Sequence, residues 1–270
     1  ASNMTIDINI KYMIRNGDNL ENCQTIMKSI PKIHIGKLPI MLKSSICVLK
    51  QYSHMNHEMN GECAFDAGGY FIINGSEKTV LGQERAAENR VYCFNLSKGS
   101  TKWSLSAEIK SVPDYKQISP KQISLLMSTK NNGFGFGIYL QVPRIKQLIP
   151  LVVVFRAMGI MSDKDICSKI LLEIGNDNNK PILKALQASI IDANEIMTQE
   201  DAVNYITNFV MYTPINMTQE QGNIKKREFT VEVINSDLFP HCHTQEQKTY
   251  FLGYMTNRLI QTSLGWLSTS

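Results

Sequence analysis

The stretch that decides the fold is residues 68–90, which read GGYFIINGSEKTVLGQERAAENR. Its first part, residues 70–73, is aromatic and β-branched, which predicts a buried strand. Asn74 and Gly75 follow, and this dipeptide predicts a tight turn because both residues accept left-handed backbone angles. The segment after the turn is rich in charged residues and amides. We therefore predict a strand–turn–strand unit that presents cations and amides from a stiff base.

Lys78 lies close to this turn. An ammonium beside backbone amides can hold an anion such as a phosphate. A solvated hairpin rim with local ion pairs explains the same residues. On chemistry alone, the solvated rim is the favoured interpretation.

The composition sets broad limits on the class of protein. The chain has 270 residues, 43% hydrophobic and 19% charged, which is enough for a core in one large or two modest domains. Its net charge of +4 permits a nucleic-acid surface without indicating one. The six cysteines form no CxxC pair, so we expect reduced thiols in an intracellular protein. The most apolar run, residues 148–155, is too short to cross a bilayer, and we expect no membrane partner.

Alternation of apolar and polar residues predicts strands through the first half of the chain. These strands are expected at residues 5–15, 23–30, 32–38, 70–73, 91–94, 103–112, 122–128 and 134–142. Turns are expected at 16–19 and 97–100, and a short helical turn within 45–52.

After Arg156 the periodicity becomes helical. Helices are expected at about 162–174, 180–191, 198–212 and 244–264. Their end signals are an N-cap at Ser162, a stop at Gly175, an opening Pro181, a start at Thr198 and a capping box of Thr244 with Gln247. Residues 216–228 fit a polar linker or a helix, and residues 231–238 fit a strand or a helix.

Read together with residues 32–44, the opening stretch closely resembles the second-largest subunit of multisubunit DNA-dependent RNA polymerases. That family carries GxxPIMLxS followed by CxxDxGGYFIINGxEKVxxxQER. The chain has the matching residues in this order: Gly36, 39–42, Ser44, Cys63, Asp66, 68–78 and 83–85. Residues 149–160 resemble the family's IPIxxxFRALGI, and residues 251–259 resemble its FLGYMxNRLL. Four separated blocks in the right order make the resemblance specific, and it is closest to the eukaryotic, archaeal and large-virus branch.

The resemblance implies an α+β fold with a split arrangement. In this arrangement residues 4–90 form part of the β-rich domain called the protrusion. Residues 94–243 form an inserted α+β domain called the lobe, and residues 246–270 return to the protrusion. Subunits of this family are several times longer than 270 residues, so we expect the chain to be a piece of one. Its richness in Asn, Ile, Lys and Met suggests an AT-rich genome, such as that of a large DNA virus or a parasite.

Two motifs invite a catalytic interpretation and have simpler ones. The glycines at 133, 135 and 137 lack the GxGxxG spacing and the following helix of a nucleotide-binding loop, which favours close backbone approach within a strand. Asp163 and Asp165 fall in the first turn of a predicted helix, where acidic residues suit the helix dipole. The family's catalytic aspartates belong to the largest subunit. We therefore predict no catalytic residue in this chain and an inactive isolated fragment.

Histidines and cysteines fall in two groups, His54, His57 and Cys63, and residues 241–243. Their spacing fits no standard zinc pattern, and neighbouring residues on an extended chain point in opposite directions. We predict no metal site and no cofactor in this chain. The resemblance implies that Mg²⁺ is held by other parts of the whole enzyme.

The resemblance also implies contact with nucleic acid. Lys78 matches a motif lysine that lies near the RNA–DNA hybrid in the family. Gln83 and Arg85 match the same motif, with a structural role as the alternative, which for Arg85 is an ion pair with Glu84 or Glu88. Lys225, Lys226 and Arg227 are candidates for downstream DNA, with a solvated helix face as the favoured alternative. Sequence-blind phosphate contacts of this kind hold nucleic acid and still let it slide.

The expected partners are the other polymerase subunits, above all the largest subunit, together with the DNA template, the RNA–DNA hybrid and transcription factors. In this interpretation the chain is one wall of the cleft that holds the hybrid during transcription. The main alternative is a protein-docking module without nucleic-acid contact. An independent metalloenzyme is a third hypothesis, and it needs a ligand cluster that the sequence does not offer.

Overall fold

The computed structural model of the chain describes residues 1–15, 23–52, 59, 61–96, 101–214 and 218–270. These residues form two compact units, Ala1–Arg85 and Ala86–Ser270. The turns predicted at 16–19 and 97–100 lie outside the described residues, as do His54 and His57.

The first unit contains a long two-stranded antiparallel ribbon of β1 (Ser2–Arg15) and β2 (Cys23–Leu38). The alternation in β1 is as predicted, and it places Ile6, Ile8 and Tyr12 on one face of the ribbon. The sequence predicted two strands, 23–30 and 32–38, where the structure has one. The ladder continues because Lys32 adopts a φ of 54° beside a shift of register, and its N–H donates to the Asp7 carboxylate at 2.7 Å.

The rest of the first unit has little regular structure. It contains the short helix α1 (Val48–Gln51) and the hairpin of β3 (Phe71–Ile73) with β4 (Ser76–Lys78). The predicted burial of the 70–73 strand is wrong, because Ile72 is 55% exposed and its neighbours are only half-buried. Among the described residues of this unit, Cys47 is the one buried residue.

The second unit is built on a five-stranded antiparallel sheet in which each strand pairs with its neighbour in sequence. The strands are β5 (Tyr92–Asn95), β6 (Trp103–Ser111), β7 (Lys121–Asn131), β8 (Phe136–Gln141) and β9 (Ile149–Pro150). The first four lie where alternation predicted strands. The two-residue β9 was not predicted.

Six α-helices of the described chain accompany this sheet. They are α2 (Leu151–Ala157), α3 (Asp163–Leu171), α4 (Lys180–Ile191), α5 (Gln199–Thr207), α6 (Gln219–Ser236) and α7 (Gln245–Ser263). One turn of 3-10 helix, Asp177–Asn179, precedes α4 in sequence. The boundaries of α4 are as predicted, with Pro181 in its first turn. The two ambiguous segments, 216–228 and 231–238, contribute to one continuous helix, α6. The presence of both helices and sheets confirms the predicted α+β class.

Three helix boundaries differ from the prediction. Helical structure begins at Leu151 rather than after Arg156, because the apolar run itself forms the fully buried α2. The stop of α3 is Leu172, which adopts a φ of 62°, and not Gly175. Helix α5 ends at Thr207 because the chain then turns to form a β-bridge between Ile145 and Val210.

The capping predictions were largely correct. The Thr244 hydroxyl accepts from the Gln247 N–H and the Gln247 side chain accepts from Thr244, which completes the predicted capping box of α7. Thr198 caps α5 through the Asp201 N–H. Ser162 occupies the N-cap of α3, but its side chain makes no capping hydrogen bond.

Helix α7 belongs to the second unit in this structure. Leu252, Met255 and Leu259 of α7 are fully buried in the hydrophobic core of that unit, and α7 packs on α3 and on the sheet. The sequence-based assignment of residues 246–270 to the protrusion stays a prediction. No helix in the described parts of the chain is long and apolar enough to span a lipid bilayer.

Candidate nucleic-acid interface

The hairpin that carries Lys78 has the predicted tight turn. Asn74 and Gly75 have φ values of 51° and 78°, as a two-residue hairpin turn with positive φ at both positions requires. Phe71 pairs with Lys78 and Ile72 with Glu77. Because directly paired residues point to the same face, Lys78 shares its face with Phe71.

The two motifs that define the start of the resemblance meet in the structure. The Leu42 N–H donates to the Tyr70 carbonyl at 2.9 Å, and the Gly69 N–H donates to the Leu42 carbonyl at 3.0 Å. Gly68 has a φ of 70°, and a Cβ at this position would lie 2.7 Å from the Leu42 carbonyl oxygen. Glycine is therefore required here, both for its backbone angle and for the close approach.

Asp66 supports the base of the hairpin. Its carboxylate accepts from the Gly68 N–H at 2.7 Å and from the Tyr70 hydroxyl at 2.6 Å, and its carbonyl accepts from the Lys43 ammonium. The bond from Tyr70, with that from Gly68, lowers the pKa of Asp66. The same bond to Asp66 raises the pKa of the Tyr70 phenol to about 12. The strand leading to Lys78 is thus tied to the preceding loop.

Lys78 itself is exposed at the end of β4, and its ammonium has no ion-pair partner among the residues that the structure describes. Gln83 and Arg85 are exposed as well. They lie in residues 79–85, which have no regular secondary structure. The ladder of the hairpin therefore positions Lys78, whereas no strand or helix positions the other two residues.

The second candidate group lies on α6, in the second unit. Lys225 is 2.7 Å from a Glu228 carboxylate oxygen, which raises its pKa, and Arg227 is 3.2 Å from Glu200. Lys226 is half-buried. Two of the three cations thus have carboxylate partners, as expected for the solvated helix face that the sequence favoured.

The glycine-rich segment is a site of close packing. A Cβ on Gly137 would lie 2.6 Å from a carboxylate oxygen of Asp192, which follows α4. The N–H groups of Gly133 and Gly135 donate to the Asn131 side chain. Gly137 therefore permits a close approach within the strand, as the sequence favoured. Gly133 and Gly135 precede β8 and have φ values of 99° and 139°, so their backbone angles account for them instead.

The His and Cys side chains are explained in part by packing. His241 contacts the Ser111 hydroxyl at 2.6 Å and packs edge-on against Phe251, and burial lowers its pKa. Cys63 is exposed in the first unit. The described residues contain no group of three or more His, Cys, Asp or Glu side chains that could hold a metal ion.

Arg156 has a role that the sequence did not reveal. Its side chain is 1% exposed, and its guanidinium donates to the carbonyls of Ala193 and Ile196 and to Asp163 at 2.7 Å. Asp163, predicted only to suit a helix dipole, is therefore also the partner of a buried cation. The one available signal in the sequence was an arginine at the end of an apolar run. An arginine buried with such a run is expected to be paired, because buried arginines are rare otherwise.

Comparison with known proteins covers most of the chain. A protein-family model described as RNA polymerase Rpb2, domain 2, matches residues 87–269, almost the whole second unit. The chain is 36% identical over 238 residues to DNA-directed RNA polymerase II subunit RPB2 of Encephalitozoon cuniculi, covering 87% of the chain and 20% of that protein. It is 31% identical over 268 residues to DNA-directed RNA polymerase II subunit 2 of Arabidopsis thaliana, covering 96% and 22%.

An archaeal protein is also similar to the chain. DNA-directed RNA polymerase subunit Rpo2 of Saccharolobus solfataricus is 31% identical over 238 residues, covering 87% of the chain and 19% of the relative. The chain thus spans about a fifth of the length of the curated relatives it matches.

Proposed function

Because the chain belongs to the Rpb2 family, the second-largest subunits of DNA-directed RNA polymerases, we propose that it acts within such a polymerase in transcription. Its partners in this proposal are the other subunits, above all the largest, together with transcription factors and the DNA template. Catalysis and Mg²⁺ belong to other parts of the enzyme. The fragment by itself is inactive and contributes one wall of the cleft.

Within this role, Lys78 contacts the phosphate backbone of the RNA–DNA hybrid. The observation that carries this proposal is an exposed ammonium, without an ion-pair partner among the described residues, at the end of a short and well-anchored hairpin. A cation held this way meets a phosphate without first breaking an ion pair. Gln83 and Arg85 follow in the exposed segment and supply additional, weaker contacts.

A docking role has its own support in the first unit. The β1–β2 ribbon leaves large apolar side chains at least two-fifths exposed on one face, among them Ile6, Tyr12 and Ile26. Contiguous exposed apolar surface of this kind is typical of protein interfaces. Lys225 and Arg227, by contrast, are engaged by carboxylates, so we propose a smaller role for α6 in nucleic-acid contact.

The test is binding of the purified chain to an RNA–DNA hybrid and to duplex DNA across a salt series. We expect Lys78→Ala to weaken hybrid binding about threefold to tenfold and to reduce the slope of log affinity against log salt by about one. Lys11→Ala, at an exposed lysine of the ribbon, is the matched control. A triple alanine variant of Lys225, Lys226 and Arg227 should change binding less than Lys78→Ala.

The proposed contact of Lys78 with the hybrid can also be rejected by this experiment. If Lys78→Ala binds the hybrid with the affinity and salt slope of the unmodified chain, the nucleic-acid contact is rejected. The role of the fragment is then protein docking, which its membership of the polymerase family allows.

A further inference from the structure

A groove in the second unit carries an excess of positive charge. It lies between the connection from β6 to β7 and the connection from α6 to α7, and has a volume of about 770 Å³. Lys116, Lys121 and Lys248 line it, and Asp237 is the one carboxylate side chain among its lining residues. Charge of one sign in a concave site favours an oppositely charged ligand.

Lys248, on α7, is the most deeply placed of these cations. Its side chain is 5% exposed, and its ammonium donates to the carbonyl of Asn235 in the last turn of α6. An ammonium has three N–H donors, and the described residues supply one acceptor. Burial lowers the pKa of Lys248, because the charged form lacks solvation. A buried cation is costly unless it is paired, so an anion bound next to the Lys248 ammonium would be stabilised.

The acidic group in the groove is already engaged. Asp237 is 3.3 Å from the Lys121 ammonium, and its other oxygen accepts from the Arg144 guanidinium. Asp237 therefore offsets only part of the charge of the three lysines. Lys248 contacts Asn235, and Lys121 contacts Asp237, two residues further along. The two lysines therefore lie at the same end of α6.

Lys116 adds an exposed cation. Its ammonium lies 5.4 Å from the centre of the Tyr115 ring, and no carboxylate pairs with it among the residues described. The Tyr115 ring in turn lies 5.6 Å from the ring of His243, another lining residue. Sites for single-stranded nucleic acid combine lysines, which bind the phosphates, with accessible aromatic rings, on which the bases stack.

We propose that this groove binds a phosphate group, with Lys248 at its floor and Lys116 and Lys121 completing the site. The phosphate comes either from the backbone of a single-stranded nucleic acid or from a small anion such as pyrophosphate. The site lies within the second unit and does not rest on the role proposed for Lys78. Its failure would therefore leave the proposed function intact.

The test is calorimetric titration of the whole chain with inorganic pyrophosphate and, separately, with a single-stranded oligothymidylate at low salt. We expect Lys248→Met to weaken binding about tenfold or more, since a hydrogen bond from a charged donor is lost. Lys116→Ala should weaken it about threefold, and Lys248→Arg should retain most of the affinity. Lys164→Met, at an exposed lysine of α3, is the control and should bind normally.

Folding is checked by thermal unfolding of each variant. If Lys248→Met fails to fold, Lys116→Ala decides the matter, because Lys116 is exposed and its side chain makes no hydrogen bond or ion pair among the described residues. Binding of the oligothymidylate alone, with the same losses in the variants, supports the site and identifies the nucleic-acid backbone as the source. The proposal is overturned if the unmodified chain binds neither ligand. It is also overturned if Lys116→Ala and Lys248→Met both bind with the affinity of the unmodified chain.

Discussion

At the scale of the residue, Arg156 shows how one buried cation joins distant segments. It lies near the end of α2, yet its guanidinium reaches the loop after α4 through Ala193 and Ile196 and the start of α3 through Asp163. Its Nε atom is buried without a hydrogen-bond partner among the described residues. The planar fork of arginine suits this geometry, whereas the single ammonium of lysine does not.

We therefore predict that Arg156→Lys lowers the free energy of unfolding by about 2–4 kcal/mol, because buried carbonyls lose their charged donor. Urea unfolding followed by tryptophan fluorescence measures this loss. Asp163→Asn keeps an acceptor at the same place and should cost about 1 kcal/mol. An Arg156→Lys variant that unfolds at the same urea concentration as the unmodified chain would contradict the role assigned to the guanidinium.

The candidate site at this scale was only partly predictable. The sequence identified Lys78 and the turn at Asn74 and Gly75 because tight-turn chemistry is local. It did not reveal that Asp66 accepts from Tyr70, or that Leu42 pairs with the Gly69–Tyr70 backbone. The Leu42 contacts join residues 27 and 28 positions apart, and the contact between Asp66 and Tyr70 depends on the path of a loop. No periodic pattern in the sequence predicts either.

At the scale of the element, α7 and α3 pack unusually closely at Gly253. A Cβ added at this position would lie 2.2 Å from the carbonyl oxygen of Lys169 in α3. Beside it, the Asn257 amide donates to the Ile170 carbonyl at 2.9 Å. The glycine of the FLGYM block thus lets the two helices meet backbone to backbone.

Gly253→Ala should lower the free energy of unfolding by about 3 kcal/mol, because the methyl group meets backbone that cannot move without separating the helices. Differential scanning calorimetry of the chain measures the effect. Gly175→Ala is the matched control, since its added Cβ would meet nothing within 4 Å, and we expect a change within about 0.5 kcal/mol. Equal melting temperatures for the two variants would show that α7 does not depend on this approach.

Element boundaries were predictable where local signals set them. The capping box of α7 and the proline-opened α4 fall where their residues indicated. The ends of α3 and α5 did not, because packing ends them: Leu172 takes a left-handed conformation, and the bridge between Ile145 and Val210 draws the chain away. Tertiary contacts outweigh a difference in local propensity that is rarely above 1 kcal/mol per residue.

At the scale of the whole molecule, the two units differ in how much core they have. The second unit buries both faces of α2 and a continuous cluster of apolar side chains, whereas the described part of the first buries one cysteine. Both tryptophans, Trp103 and Trp266, belong to the second unit. Tryptophan fluorescence therefore reports on that unit alone.

We predict that brief trypsin treatment cleaves after Arg85 and leaves residues 86–270 intact. Arg85 is exposed in a segment without regular structure, as proteolysis requires. Most of the later basic residues that the structure describes lie on helices and strands. Mass spectrometry identifies the product. By tryptophan fluorescence, the melting temperature of the 86–270 piece should lie within about 2 °C of that of the whole chain. A destabilisation of about 1 kcal/mol would shift it by more than this.

Early cleavage inside residues 101–214, or a melting temperature well below that of the whole chain, would contradict this prediction. Early cleavage would mean that the second unit is itself open to the protease, and a lowered melting temperature would mean that it depends on the first unit for its stability. The division between Arg85 and Ala86 would then describe only the geometry of the chain.

The sequence by itself determined the α+β class, most strand and helix positions, and the polymerase family that residues 87–269 confirm. These follow from alternation, helical periodicity, turn residues and ordered motifs, all of which act over short stretches of chain. Only the tertiary structure decided that α7 packs within the second unit, that Arg156 is buried and paired, and that three lysines meet in one groove. The physical reason is that burial and charge pairing depend on which distant segments meet, and that is determined by packing of the whole unit.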